Sequence, residues 1–292
     1  MSFINGVLSG LGYVVNTIFW FVPIFILGLL KLIPVKPLQQ LLSYLIDGCA
    51  SGWIKVNSFN QMLFSRTKMN TNTLPQLSTK QWYMVIANHQ SWVDILVLQR
   101  VLDGKVPFLK FFLKQQLIFV PVIGLAWWAL DFPFMKRYSR SFLLKNPHLR
   151  GKDVEATKRS CEKFQLKPVS VVNFVEGTRF TNEKSEQQGK PFPSLLRPKA
   201  GGMAFALDAM SGRLNQLVDV TISYPHGIPS FWDFVCGRVK QVDINIELSD
   251  IAPELIGDYQ NDKQYKSRFQ QWLNGKWQAK QDRLEEMKKN AP

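Results

Sequence analysis

From residue 8 to residue 35 the chain is almost wholly apolar, interrupted by Asn16 and, near its end, by Lys31. The densest part, residues 18–30, reads Ile-Phe-Trp-Phe-Val-Pro-Ile-Phe-Ile-Leu-Gly-Leu-Leu. A helix crosses a bilayer with about 20 apolar residues, and this stretch meets that length, with Pro23 expected to kink it. A cleavable signal peptide is the rival reading. It would carry a basic residue before the apolar run and a small-x-small site after it, and neither stands here. Lys31 and Lys36 follow the run and no basic residue precedes it, so the positive-inside rule places the remainder in the cytoplasm. The expectation for residues 1–70 is a membrane anchor: a retained apolar helix and an amphipathic helix after it.

The amphipathic stretch is residues 37–53, with Leu38, Leu41, Leu42, Leu45 and Ile46 at helical spacing. That helix can fold back on the first, lie in the membrane interface, or pack as a surface helix on a soluble domain. A third apolar run, residues 117–130, contains Trp127 and Trp128 but is broken by Pro121 and Gly124 and ends at Asp131. It is short for a span, and buried or interfacial structure is expected of it.

Lys and Arg total 36 against 22 acidic residues, a formal net charge of +14 in 292 residues. Such a surplus calls for a polyanionic partner, nucleic acid or an anionic membrane face. The apolar N-terminal run selects the membrane. Cys49, Cys161 and Cys236 are far apart and form no paired motif, so neither a zinc site nor a disulfide scaffold is indicated.

The remainder, residues 71–292, alternates strand-like and helix-like stretches. Residues 70–79 read as a polar linker. Residues 82–87, 106–109, 169–175, 218–224 and 239–248 have strand character, and residues 91–102, 153–164, 201–210 and 264–289 helical character. The last is a basic helix with Trp272 and Trp277. This pattern predicts an α/β fold: a mixed, mostly buried sheet flanked by helices, preceded by a hydrophobic membrane-anchoring helical segment.

Two short motifs carry the chemistry. Asn88-His89-Gln-Ser-Trp-Val-Asp94 ends the first strand, and Phe174-Val-Glu176-Gly177-Thr178-Arg179-Phe180 follows a later one. On one continuous helix His89 and Asp94 would stand about 140° apart. They meet only if His89 precedes the first turn and Asp94 lies on the helix behind it. Asp94 then fixes the imidazole tautomer, and the other ring nitrogen is left to take a proton from a hydroxyl. Arg179, on a turn after a strand, offers a guanidinium suited to bidentate phosphate binding. Gly177 permits the turn, and Glu176 is placed to hold Arg179 or a neighbouring amide. Taken singly, each motif is also compatible with a helix cap or a surface turn.

Their order and separation resemble the glycerolipid acyltransferases, the lysophosphatidic acid acyltransferase (1-acyl-sn-glycerol-3-phosphate acyltransferase) group, whose signatures NHxxxxD and EGTR both stand complete here. The likeness covers about residues 82–225. It implies that His89 is the general base, that Asp94 orients it within a motif opened by Asn88, and that Glu176, Gly177, Thr178 and Arg179 bind the acceptor phosphate. Phe134-Met-Lys-Arg137 falls where the family places an acceptor-binding arginine, and residues 218–225 where it places an apolar strand ending in proline. The longer forms, residues 174–181 and Leu196-Arg-Pro-Lys-Ala-Gly-Gly202, are similar to the branch holding lysocardiolipin acyltransferases and certain bacterial inner-membrane acyltransferases. One departure stands out: Asp131 occupies a position where the family usually has glycine. A carboxylate there would repel a phosphate unless it were paired or turned away. Lys110, Lys136 and Lys199 are expected to be solvated surface lysines.

The resemblance implies transfer of a fatty acyl group from acyl-CoA or acyl carrier protein to the free hydroxyl of a lysophospholipid, with lysophosphatidic acid giving phosphatidic acid as the first choice and another anionic lysophospholipid as the alternative. No covalent nucleophile offers itself, and Ser91 is expected to face solvent. Direct attack on an activated thioester needs alignment and removal of one proton, so no metal and no cofactor is expected. The expected partners are an anionic bilayer, the thioester donor and the lysophospholipid, and the expected place is a bacterial inner membrane with the catalytic domain cytoplasmic. The competing class, a basic membrane-surface or nucleic-acid-binding protein without catalysis, rests on the charge and the basic tail alone; no nucleic acid is expected.

Overall fold

The computed structural model describes residues 2–135, 164, 167–210 and 212–290. A long apolar helix, α1 (Ser2–Leu30), is followed by α2 (Lys36–Asn60), which starts with Pro37 in its first turn and ends in a π-helical turn, Gln61–Ser65. Proline is tolerated there because the first-turn N–H groups have no intrahelical partner. α2 folds back along α1. Between them runs a polar seam: Asn16 Nδ2 donates to Asn57 Oδ1 at 2.8 Å, Trp53 Nε1 to Thr17 Oγ1 at 3.1 Å, and Asn60 Nδ2 to the Ser9 carbonyl at 2.9 Å. The amphipathic stretch thus takes the first of the arrangements open to it.

Six strands form the main sheet: β1 (Lys68–Thr71), β2 (Tyr83–Ala87), β3 (Leu109–Phe111), β6 (Ser170–Asn173), β7 (Gln216–Ser223) and β8 (Gln241–Asp250). Their order across it is β1-β8-β7-β2-β6-β3. Among the described strands only β7 and β8 pair antiparallel; the other neighbours are parallel. Two short strands, β4 (Leu113–Lys114) and β5 (Phe134–Met135), form a separate parallel pair. The expected mixed, buried sheet is therefore present. β1 is a correction, since it lies at the start of the stretch read as a linker. It is an edge strand tied to β8 by side chains as well as backbone, Asn70 Nδ2 donating to Asp243 Oδ1 at 2.8 Å, and its sequence has no apolar alternation to announce it. β3 begins where the strand expected at 106–109 was to end.

Period-two alternation along the central strands divides the core. Tyr83, Val85 and Ala87 of β2 face one side, with Val218, Val220 and Ile222 of β7. On that side stand α3 (Val93–Leu102), α4 (Ile123–Ala129), and Ile24, Ile46 and Ala50 of the α1–α2 pair. Met84 and Ile86 face the other side, covered by α6 (Gly201–Ala209) and the C-terminal helix α8 (Lys263–Lys289) through Met203, Leu207, Phe269, Leu273 and Trp277. The run at 117–130 becomes a 3-10 turn (Gln115–Phe119) and the short helix α4, packed under α1. Asp262 caps α8 by accepting from the Gln264 and Tyr265 amides. Two further short helices, α5 (Asn182–Gln187) and α7 (Phe231–Val235), and a 3-10 turn (Pro253–Leu255) complete the described elements; α7 opens with a capping box of Ser230 and Asp233.

Candidate active site

β2 delivers Asn88 and His89 at its C-terminal end, in the loop before α3. Asn88 is fully buried and pinned to β7: its Nδ2 donates to the Ile222 carbonyl at 2.8 Å and its Oδ1 accepts from the Ile222 amide at 2.9 Å. Asp94 sits in the first turn of α3, also fully buried. Its Oδ2 lies 2.9 Å from His89 Nδ1 and accepts the Gln90 and Ser91 amides at 2.6 and 2.8 Å. Its Oδ1 accepts the Tyr224 hydroxyl at 2.5 Å. Burial first, and the Asp94 charge second, hold that hydroxyl well above its ordinary pKa, so it remains a donor. Nδ1 is thereby occupied by Asp94, and Nε2 is the ring nitrogen left for a substrate. The ring stacks on Phe174 with centroids 4.0 Å apart.

β6 delivers the second motif. Gly177 has φ +71°, a left-handed conformation that glycine takes without strain, and its amide closes the turn on the Phe174 carbonyl at 2.8 Å. Glu176 is fully buried, and it holds amides rather than Arg179: Oε1 accepts from His89 N at 2.9 Å and Oε2 from Leu196 N at 2.8 Å. With the Phe180 amide donating to the His89 carbonyl at 2.7 Å, the two motifs become one unit. Burial pushes the Glu176 carboxyl up to about 8 against the pull of those two amides. Arg179 is exposed, its guanidinium 4.8 Å over the half-exposed Trp92 ring. Lys184 binds the Thr178 hydroxyl and the Arg179 carbonyl at 2.8 and 2.9 Å, adding a second cation to the turn.

His89, Gly177, Thr178 and Arg179 together line part of a cavity of about 490 Å³. Its other walls are mostly apolar, with Trp20 and Ile24 of α1, Ala50 of α2, Ile95 of α3, Phe111 of β3, Ala126 of α4 and Phe132, while Thr17, Gln99, Lys114 and Asn173 add polar groups. The site thus sets an imidazole and a guanidinium on the wall of a mostly apolar cavity. Among the described residues no group of three or more His, Cys, Asp or Glu is gathered as a metal site would require.

Several sequence expectations change. Asp131 is paired, forming an ion pair with Lys31 at the end of α1, so its carboxylate is compensated. Arg137 and Lys136 lie outside the described residues. Ser91 is buried rather than solvent-facing; its Oγ donates to the Pro229 carbonyl at 2.6 Å and accepts the Val93 amide, which makes it a loop clasp. Lys110 is buried too, held by Asp47 and the Leu130 carbonyl at 2.8 and 2.6 Å, with Lys167 on the other oxygen of Asp47 at 2.5 Å. Lys199 is exposed as expected. Sequence reasoning missed Tyr224, whose only signal was a tyrosine ending an apolar strand. It also missed Gln90 and Gln281, which grip Ser194 in the loop beside Leu196.

A model of the family described as Acyltransferase matches residues 67–225, just over half of the chain. The chain is 25% identical to an uncharacterized acyltransferase of Saccharomyces cerevisiae, over 75% of this chain and 62% of that one. It is 26% identical to the 1-acyl-sn-glycerol-3-phosphate acyltransferase gamma of Mus musculus, over 72% and 54%. It is 24% identical to a 2-acyl-1-lysophosphatidylinositol acyltransferase of Saccharomyces cerevisiae, over 69% and 60%. The matches thus take in between 54% and 62% of the length of these relatives. The fold is shared with the crystal structure of the 1-acyl-sn-glycerophosphate (LPA) acyltransferase PlsC of Thermotoga maritima, at TM-score 0.52 and 15% identity with both chains fully covered. A His–Asp pair with a fully buried aspartate and an arginine turn, welded together at the strand ends within a matched stretch that runs from Thr67 to Pro225, lead to one assignment: this chain belongs to the Acyltransferase family.

Proposed function

We propose that the protein transfers a fatty acyl group from a thioester donor, acyl-CoA or acyl carrier protein, to the free hydroxyl of a lysophospholipid, with lysophosphatidic acid the first acceptor to try. The observation that carries this reading is that His89 and Arg179 line one mostly apolar cavity. An acyl chain fits the apolar walls and brings its thioester to His89, while the acceptor's phosphate lies on Arg179 and its hydroxyl reaches Nε2. His89 takes the hydroxyl proton as the oxygen attacks the thioester carbonyl. Collapse of the tetrahedral adduct breaks the carbon–sulfur bond, and the departing thiolate takes the proton back from the imidazolium. Asp94 holds the ring and stabilises its charged form. His89, Asp94 and Asn88 are assigned to proton transfer and its support, and Gly177, Thr178 and Arg179 to the phosphate. Glu176 is assigned to joining the two. Arg137 is proposed as a further phosphate ligand from sequence alone.

Residues 1–70 are proposed as the membrane-attachment unit and 71–292 as the catalytic domain. α1 is long and apolar enough to span a bilayer, which was the expectation, yet both of its ends pack on the domain. Phe3 meets Trp232 of α7 edge-on at 5.9 Å, and Gly28 abuts Ala129 of α4. A helix about 43 Å long that touches the domain along its length fits better lying in one leaflet. Its outward stripe, Phe3, Val7, Leu11, Val14, Ile18, Val22, Ile26 and Leu29, is exposed and wholly apolar. That placement opens the cavity wall formed by Trp20 and Ile24 toward lipid, with the net charge of +14 drawing the domain to an anionic surface. The test is acyl transfer in vesicles with a panel of lysophospholipids and both donor types. Transfer to no lysophospholipid from either donor would overturn the reading.

A further inference from the structure

The two oxygens of Asp94 are served unequally. Oδ2 takes three partners, His89 Nδ1 and the Gln90 and Ser91 amides, whereas among the described residues Oδ1 takes one, the Tyr224 hydroxyl. Asp94 is fully buried and Tyr224 nearly so, at 6% exposure. A buried carboxylate oxygen without a donor carries a large desolvation penalty. The carboxylate would relieve it by turning, and the oxygen that turns away from Tyr224 is tied to the one that faces the imidazole.

We propose that Tyr224 is a positioning residue of the reaction, locking the rotation of the Asp94 carboxylate so that Oδ2 stays on His89 Nδ1. The proposal rests on His89 acting as the base. Its geometric support is that the end of β7 and the residue just past it hold both Asn88 and Asp94. Ile222 holds Asn88 through two backbone hydrogen bonds, and Tyr224, two residues on, holds Asp94. Tyr224 lies one residue past the end of β7, and its side chain is buried in the same core cluster as that of Ile222. The sequence separation of 130 residues between the hydroxyl and Asp94 means that the strand register, fixed by Ile86 opposite Asp219 and Ala87 opposite Val220, sets the orientation of the dyad. The hydroxyl touches no reacting atom; it works through Asp94 alone.

The test is a double-mutant cycle of Tyr224→Phe with Asp94→Ala, in the full chain reconstituted in lipid vesicles. Tyr224→Phe is expected to lower kcat about tenfold, the size of one lost hydrogen bond to a charged group, with KM for donor and acceptor unchanged. In the Asp94→Ala background it is expected to cost nothing further, because the group it acts through is gone. A tenfold loss that persists in that background would show a merely structural tyrosine and overturn the proposal, as would a Tyr224→Phe protein with wild-type kcat. A readout independent of turnover separates this from failure of the acyl-transfer reading. The chain has three histidines, so the His89 Nδ1 proton can be assigned in ¹⁵N-histidine protein with His89→Ala as reference. Its resonance is expected to shift or broaden in Tyr224→Phe even if no substrate is ever turned over; an unchanged resonance would overturn the proposal.

Discussion

Replacing Glu176 by glutamine changes one oxygen to NH2 and almost nothing else, yet the structure gives both oxygens work. One accepts the His89 amide at 2.9 Å and the other the Leu196 amide at 2.8 Å, with the side chain fully buried. Glutamine satisfies one amide and turns a donor toward the other. A buried N–H left unpaired costs ~1–3 kcal/mol. In a chain of this size that is a fall in Tm of about 2–10 °C. If the strain falls on the His89 side, the same energy is a five- to hundredfold loss of kcat, at ~1.4 kcal/mol per tenfold. A pH series sharpens the test. Burial raises the Glu176 carboxyl from 4.5 to about 8, so between those values the folded chain holds a proton that the unfolded chain has lost. Unfolding releases it, and raising the pH therefore favours unfolding: this stability is full below about 4.5 and is lost as pH rises through about 8. Glutamine has no such dependence. The Tm difference between wild type and Glu176→Gln, read by scanning fluorimetry in detergent, should move in favour of the variant as pH rises from about 5 to above about 8. Other titrating groups cancel in the difference. A gap that does not change with pH, or a variant with wild-type Tm and kcat, would refute the reasoning.

Arg179→Ala should raise KM for a phosphate-bearing acceptor by about ten- to a hundredfold with kcat little changed, since the guanidinium binds rather than reacts; steady-state kinetics over acceptor concentration will read it. Ala50→Phe puts a ring into the apolar cavity that Ala50 lines and should cut transfer from long-chain donors about tenfold or more, the order of cost for overpacking, while short-chain donors are spared; a donor-length series decides. Single cysteines at Ser2 and Ile33, in a protein cleared of its other three, should both be labelled from the same side of sealed vesicles, because both ends of α1 rest on the domain; opposite-side labelling would mean a true span.

The elements with a strong period were legible in the sequence. β2, β6, β7 and β8 are apolar or alternating runs, and α1 and α8 are long enough for their periodicity to dominate. β1 was not, because an edge strand paired through Asn70 and Asn72 needs no apolar pattern. The site divides in the same way. His89 and Asp94 are five residues apart, so a local argument about one loop and one turn was enough to pair them. Glu176 was expected to hold Arg179 or a neighbouring amide, and the amides it does hold lie 87 residues before it and 20 after it. Tyr224, Lys110 and Ser91 owe their roles to partners 130, 63 and 138 residues distant, and nothing in local spacing encodes such contacts. Lys110 shows the cost of reading charge as solvation, being almost completely buried beside Asp47; Lys280 of α8 is likewise buried, beside Asp219.

Everything in the proposed reaction turns on His89 as the base. His89→Ala, purified and shown to keep the wild-type Tm, should be assayed for thiol release and acyl-lipid formation from acyl thioester and lysophosphatidate in vesicles. Both products are predicted to fall together by about 10²–10⁴-fold, the range for a positioned general base. A folded His89→Ala protein that forms acylated lipid at the wild-type rate would contradict that role.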